Sequence, residues 1–159
     1  MKICILDVYY NVEHRISKDQ NGQYGTANNY GSGFLSVILK KFVKKNINIP
    51  PLYVAQVVGE LKKNGHDVYY KNNSNNDEEY DLFIVVSSIV CHELEIDHIK
   101  KLSKKNVKIF SIGPFASNIP NPYIQAGSKI ILGEPEMFFF DYDGSKKFEE
   151  YDQIIKSDS

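Results

Sequence analysis

Four short stretches of the chain carry residue types that can meet a ligand. Two apolar runs end in glycine followed by proline or an acid, Ile112-Gly113-Pro114-Phe115 and Leu132-Gly133-Glu134-Pro135. Glycine at the end of a buried strand lets backbone come close to something else, either another segment or a ligand. A third run, Leu82 to Val86, leads into Ser87-Ser88-Ile89-Val90, and serine hydroxyls can bond buried ring nitrogens or phosphate oxygens. A fourth, Ile3 to Leu6, leads into Asp7-Val8-Tyr9-Tyr10. None of these stretches holds a convincing acid/base pair, so the chemistry they point to is binding rather than bond breaking.

The remaining candidate groups have plainer roles. His92 stands at the start of a helical pattern, near enough to the serine turn to be the one histidine on the ligand side. His66 falls between a helix and a strand and reads as structural, and His98 lies within a helix. Cys4 and Cys91 both sit in or just after apolar runs, which is the position of buried free thiols and too few for a metal site or a disulfide framework. The segment Asn72 to Glu79 reads as a solvated turn, and Glu136 to Tyr142 as an aromatic run that buries Phe139 and its neighbours.

Composition bounds what these residues can serve. With 159 residues and 42% hydrophobic content the chain is sized for one domain with one core. The 19 basic and 20 acidic residues leave a formal charge of −1, so no overall field favours nucleic acid or an anionic membrane. Arg15 is the lone arginine, which argues further against nucleic acid, because arginine supplies most bidentate base and phosphate contacts. The amino terminus lacks a signal-peptide pattern and no apolar run reaches the roughly 18 residues of a membrane span. A cytoplasmic, soluble protein is expected.

The elements that must position these turns are legible from periodicity. Strands are expected at Ile3 to Leu6, Asp67 to Tyr70, Leu82 to Val86, Val107 to Ile112 and Lys129 to Leu132. Pro51 opens a helix whose apolar positions Leu52, Ala55, Val58 and Leu61 recur three apart, closed by lysines and Gly65. A second helix begins near His92, with Leu94, Ile99 and Leu102 inward and Glu93, Glu95 and Asp97 in its first turns, where the helix dipole favours acids. Short helices are expected at Pro120 to Ala126 and Glu134 to Phe140. Continuous β-branched strands separated by helices predict a doubly wound, mostly parallel five-stranded α/β sheet of Rossmann-like kind in the order 2-1-3-4-5. Such a sheet binds ligands at the carboxyl ends of its strands, and all four turns then meet there. The domain spans residues 1–140, with a long first connection over residues 8–49 that reads as a lid or insertion, and residues 141–159 form a tail or linker. No G-x-G-x-x-G or G-x-x-x-x-G-K-[ST] pattern marks a nucleotide site.

Three stretches in this order, Pro50 to Tyr70, Asp81 to Val90 and Val107 to Glu136, resemble the amino-terminal cobalamin-binding domain of cobalamin-dependent radical SAM enzymes. The shared pattern is a proline-led helix ending in G-H-x-V, a serine-containing turn after the third strand, a G-P turn after the fourth and G-E-x-E after the fifth. The resemblance implies a corrin ring across the carboxyl end of the sheet with its nucleotide tail inserted into it. It implies that Val8, Tyr9 and Tyr10 face the cobalt. Ser87, Ser88, Ile89 and Val90 would flank the tail, Gly113, Pro114 and Phe115 would form the close-approach turn, and Gly133 and Glu134 the last turn.

The chain departs from that pattern twice. The family's D-x-H-x-x-G is replaced by Asp7 and a stretch whose nearest histidine is His14, so no protein histidine on cobalt is expected, and neither a metal ligand nor a catalytic residue is assigned. The cluster-binding C-x-x-x-C-x-x-C is absent, so S-adenosylmethionine and a 4Fe-4S cluster would belong to a radical SAM partner domain, in the same full-length protein or on a separate chain. The competing reading is a flavodoxin-like ligand-binding or signalling module without cobalamin.

Overall fold

A computed structural model describes residues 1–10, 33–39, 50–72, 79–140 and 142. The expected sheet is present: five parallel strands in the order β2-β1-β3-β4-β5, with β1 Lys2–Leu6, β2 Asp67–Lys71, β3 Leu82–Val86, β4 Lys108–Ile112 and β5 Lys129–Ile130. Every residue of β3 is buried, and β1 and β4 are buried after their first residue. Unbroken apolar strands need helices on both faces, because each face must be taken out of water.

One face packs under α2 (Leu52–Lys63) and α6 (Pro135–Phe140). Its core joins Ile3, Ile5, Ile84 and Phe110 to Val54, Val57, Leu61, Phe138 and Phe139. The other lies under α3 (His92–Ser103), α4 (Pro114–Asn118) and α5 (Asn121–Ala126), where Leu6, Phe83 and Val85 meet Ile99, Leu102, Ala116 and Tyr123. A short helix in the first connection, α1, spans Phe34–Leu39. The rest of residues 11–49, including His14 and most of the expected lid, falls outside the described residues, as does the tail apart from Tyr142. Tyr142 is fully buried among Phe110, Phe138 and Phe139, so the core takes in a residue just past the expected boundary at 140.

Two details differ from the periodicity reading. In α2 the buried positions are Val54, Val57 and Leu61, while Leu52 and Ala55 are exposed. At about 100° per residue, a spacing of three drifts by about 60° each step, so Leu52 and Leu61 face opposite sides. Spacing of three then four keeps one face, and the helix buries the residues that follow it. The fifth strand is also shorter than expected and ends at Ile130, although Ile131 still donates its amide to the Ser111 carbonyl at 3.1 Å.

Candidate functional site

The carboxyl ends of β1, β3, β4 and β5 lie along one end of the sheet, and the strand order reverses between β1 and β3. At the end of β1, Asp7 is fully buried. Its amide donates to the Lys71 carbonyl at 2.8 Å, and its Oδ2 accepts from the hydroxyls of Tyr9 at 3.1 Å and Tyr70 at 2.5 Å. That clamp turns Tyr9 inward beside a fully buried Val8. Tyr10 points out at 62% exposure, its hydroxyl 3.5 Å from Glu93 Oε2. Of the three residues expected to face a ligand here, only Tyr10 offers substantial surface.

After β3 both serines are buried and bonded. Ser87 donates its amide to the Ile112 carbonyl at 2.9 Å and its Oγ accepts from the Ala116 amide at 3.0 Å, which joins the turns after β3 and β4. Ser88 is held by Glu95: its amide donates to Oε2 at 3.1 Å and its hydroxyl to Oε1 at 2.9 Å, while its Oγ accepts from the Cys91 amide at 3.2 Å. Glu95 also accepts from the Tyr123 hydroxyl at 2.6 Å. Ile89 is 56% exposed and Val90 half-buried.

Glu95, read from the sequence as one of the dipole-complementing acids in the first turns of α3, is fully buried. It stands four residues before Ile99 and seven before Leu102, so it lies on the apolar stripe of α3, and that spacing was the available signal. Three donors, two from Ser88 in the turn after β3 and one from Tyr123 of α5, make the burial of this polar group tolerable. Burial and the adjacent Glu95 push the Tyr123 hydroxyl well above its ordinary range.

Gly113 is the N-cap of α4, with φ 107° and Pro114 beginning the helix, where the missing amide hydrogen costs nothing. The sequence pattern marks this segment only as a turn, and the structure makes it a short helix. A Cβ placed on Gly113 would lie 2.9 Å from Tyr53 Oη, 3.0 Å from Ser87 Oγ and 3.3 Å from the Ser87 carbonyl oxygen. The close approach that demands glycine here is therefore met by Tyr53 of α2 and by Ser87. Pro114 is exposed, and the half-buried Phe115 ring packs 5.2 Å from His92 and 6.3 Å from Tyr123. His92 Nδ1 lies 2.9 Å from the Ile89 carbonyl oxygen, which anchors the ring over the turn after β3.

Gly133 differs. Its φ is 73°, no described residue lies within 4 Å of a Cβ built on it, and it and Glu134 are exposed. Ile89, His92 and Phe115 thus form an apolar and aromatic ledge at the strand ends, with Tyr10 reaching Glu93, the residue after His92, and an exposed glycine turn at β5. His66 is buried at the other end of the sheet, its Nε2 3.4 Å from the Tyr142 carbonyl oxygen, in the structural role expected for it. Cys4 and Cys91 are buried and not joined in a disulfide. Among the described residues no cluster of three or more His, Cys, Asp or Glu side chains could hold a metal ion, and no helix is long and apolar enough to cross a membrane.

The ledge can receive a flat apolar face, but the hydroxyls beneath it mostly serve the fold. Ser87 keeps one capacity, because a hydroxyl that accepts one bond still has a proton to donate. Compared with known proteins, the chain matches no family model, no curated protein and no solved structure.

Proposed function

We propose that the chain is a cobalamin-binding module that positions a corrinoid for a radical SAM domain. S-adenosylmethionine and the 4Fe-4S cluster belong to that partner. The observation that carries this reading is the meeting of the turns after β1 and β3 at the reversal of strand order, with the turn after β4 bonded to Ser87, and with Tyr10 and Ile89 exposed in those first two turns. The ledge fits the ring of such a cofactor, and Gly133 leaves room for a bulky edge. The tail position fits once Tyr53 moves, since what fills the space at Gly113 is the far end of a side chain together with Ser87. When bound, cobalamin would supply a cobalt-carried methyl group or its reduced, nucleophilic form. Tyr10, Ile89 and Phe115 would then exclude water from one face of the ring, Ser87 would donate its proton to the tail, and Tyr53 would set whether the tail can enter.

The second reading is a flavodoxin-like ligand-binding or signalling module without cobalamin. It is favoured by the same contact at Gly113, because Tyr53 and Ser87 explain the glycine without any ligand. The two readings separate when the folded chain is mixed with hydroxocobalamin and desalted. Retained colour, with affinity falling about tenfold or more in Ile89→Asp because a charge replaces ledge surface, supports the first. A folded protein that elutes colourless, both as it stands and with Tyr53→Ala, supports the second.

A further inference from the structure

The outer side of β2 has a pattern that an antiparallel copy of itself can match. β2 ends the sheet, with β1 as its strand neighbour among the described residues. The Asp67 amide donates to the Met1 carbonyl at 2.9 Å and the Lys71 carbonyl accepts from the Asp7 amide at 2.8 Å, so Asp67, Tyr69 and Lys71 direct their backbone groups toward β1. Backbone direction alternates along a strand, so Val68 and Tyr70 direct theirs outward. An open cleft of about 490 Å³ lined by Lys62, Gly65, His66, Asp67, Val68 and Tyr69 runs along the first half of this strand.

We propose that β2 pairs with β2 of a second copy of this chain, antiparallel about a two-fold axis through Tyr69, to make one continuous sheet across a homodimer. In that register Val68 of one copy and Tyr70 of the other exchange amide-to-carbonyl bonds on each side of the axis. Tyr69 faces its symmetry mate in the closer, non-bonded pair. The side chains agree with the backbone. Asp67 falls opposite Lys71 of the copy on one face of the sheet, twice, and Val68 falls opposite Tyr70 on the other, so the charges are complementary in this register and opposed to a parallel one. Tyr69 is 44% exposed on that face, with Lys2 Nζ 5.4 Å above its ring and Tyr80 edge-on at 5.7 Å, which holds the ring in place for a partner. Edge strands are commonly guarded by charge against indiscriminate pairing, and charges placed at both ends of β2 admit one partner while disfavouring slipped registers. A strand pair of this length is small beside the roughly 1,600 Å² of a standard interface, so the dimer is expected to be weak, with micromolar dissociation.

Sedimentation of the full chain over a concentration series reads this directly. A reversible monomer–dimer equilibrium is expected. Asp67→Lys, which sets lysine against Lys71 of the copy, should weaken it about tenfold or more, and so should Val68→Pro, which removes an outward amide and no bond to β1. The exchange Asp67→Lys with Lys71→Asp restores the opposed charges and should recover most of the loss. A chain that stays monomeric with native circular dichroism overturns the proposal. So does a dimer that neither single variant weakens, or one that the double exchange fails to recover.

Discussion

Gly113 shows how much one missing Cβ can decide. Its φ of 107° is strained for any L side chain, and a methyl group there would meet Tyr53 Oη at 2.9 Å. Gly113→Ala is therefore expected to destabilise the folded chain by about 1–3 kcal/mol, from positive φ and from crowding together. A urea titration followed by circular dichroism measures it. Tyr53→Phe removes the closest of the crowding atoms, so the double variant should lose less than the sum of the single losses. Strict additivity would show that the backbone angle alone carries the cost. Because the glycine is needed by the fold, a bulky residue at 113 is a poor test of ligand binding, whereas the exposed Ile89 tests the ledge without touching the core.

At the scale of elements, one buried carboxyl group ties three segments together. Glu95 accepts from the Ser88 amide and hydroxyl and from Tyr123, so α3 is fastened to the turn after β3 and to α5. Glu95→Ala would leave those buried donors without their acceptor, and a loss of about 3 kcal/mol or more is expected in the same titration. The pH dependence has a defined sign. The Tyr123 hydroxyl holds its proton more tightly in the folded chain than its ordinary value of 10.0, by burial first and the neighbouring Glu95 second. Its contribution to stability is thus complete below pH 10.0 and declines above it, where the unfolded chain ionises at this position and the folded chain does not. Thermal melts at stepped alkaline pH should show that decline, and Tyr123→Phe should make it shallower.

For the molecule as a whole, protection is expected to follow depth in the sheet. β3 is buried throughout and has a strand on each side, while β2 is half-exposed and β5 is a short outer strand. Amide hydrogen exchange should be slowest in Leu82–Val86 and faster in Lys129–Ile130, because outer strands open without unfolding the core. Comparable protection in both would mean that β5 is covered by more of the chain than the described residues include. The two proposals place their partners on separate surfaces, a ligand at the strand ends and a second copy along β2. Loading with hydroxocobalamin should leave the monomer–dimer equilibrium unchanged if they act independently.

The number and approximate positions of the strands were determined by the sequence itself, because continuous apolar runs and proline and glycine punctuation are local properties of the chain, and their order followed from the right-handed crossovers that alternating strands and helices impose. Leu82 to Val86 is buried along its whole length as its composition requires, and Gly65 and Gly127 close helices where a left-handed residue is needed. What tertiary structure alone decided was which side of each residue met which neighbour. Glu95 reads as one of three dipole-complementing acids until three donors from other segments surround it. Val8 and Tyr9 read as ligand-facing until Asp7 draws the tyrosine inward. Gly113 reads as a close-approach turn, and only the fold shows that Tyr53, sixty residues earlier, stands beside it. Each of these outcomes depends on groups far apart in the chain, and periodicity over a few residues carries no information about which distant side chain will fill a space.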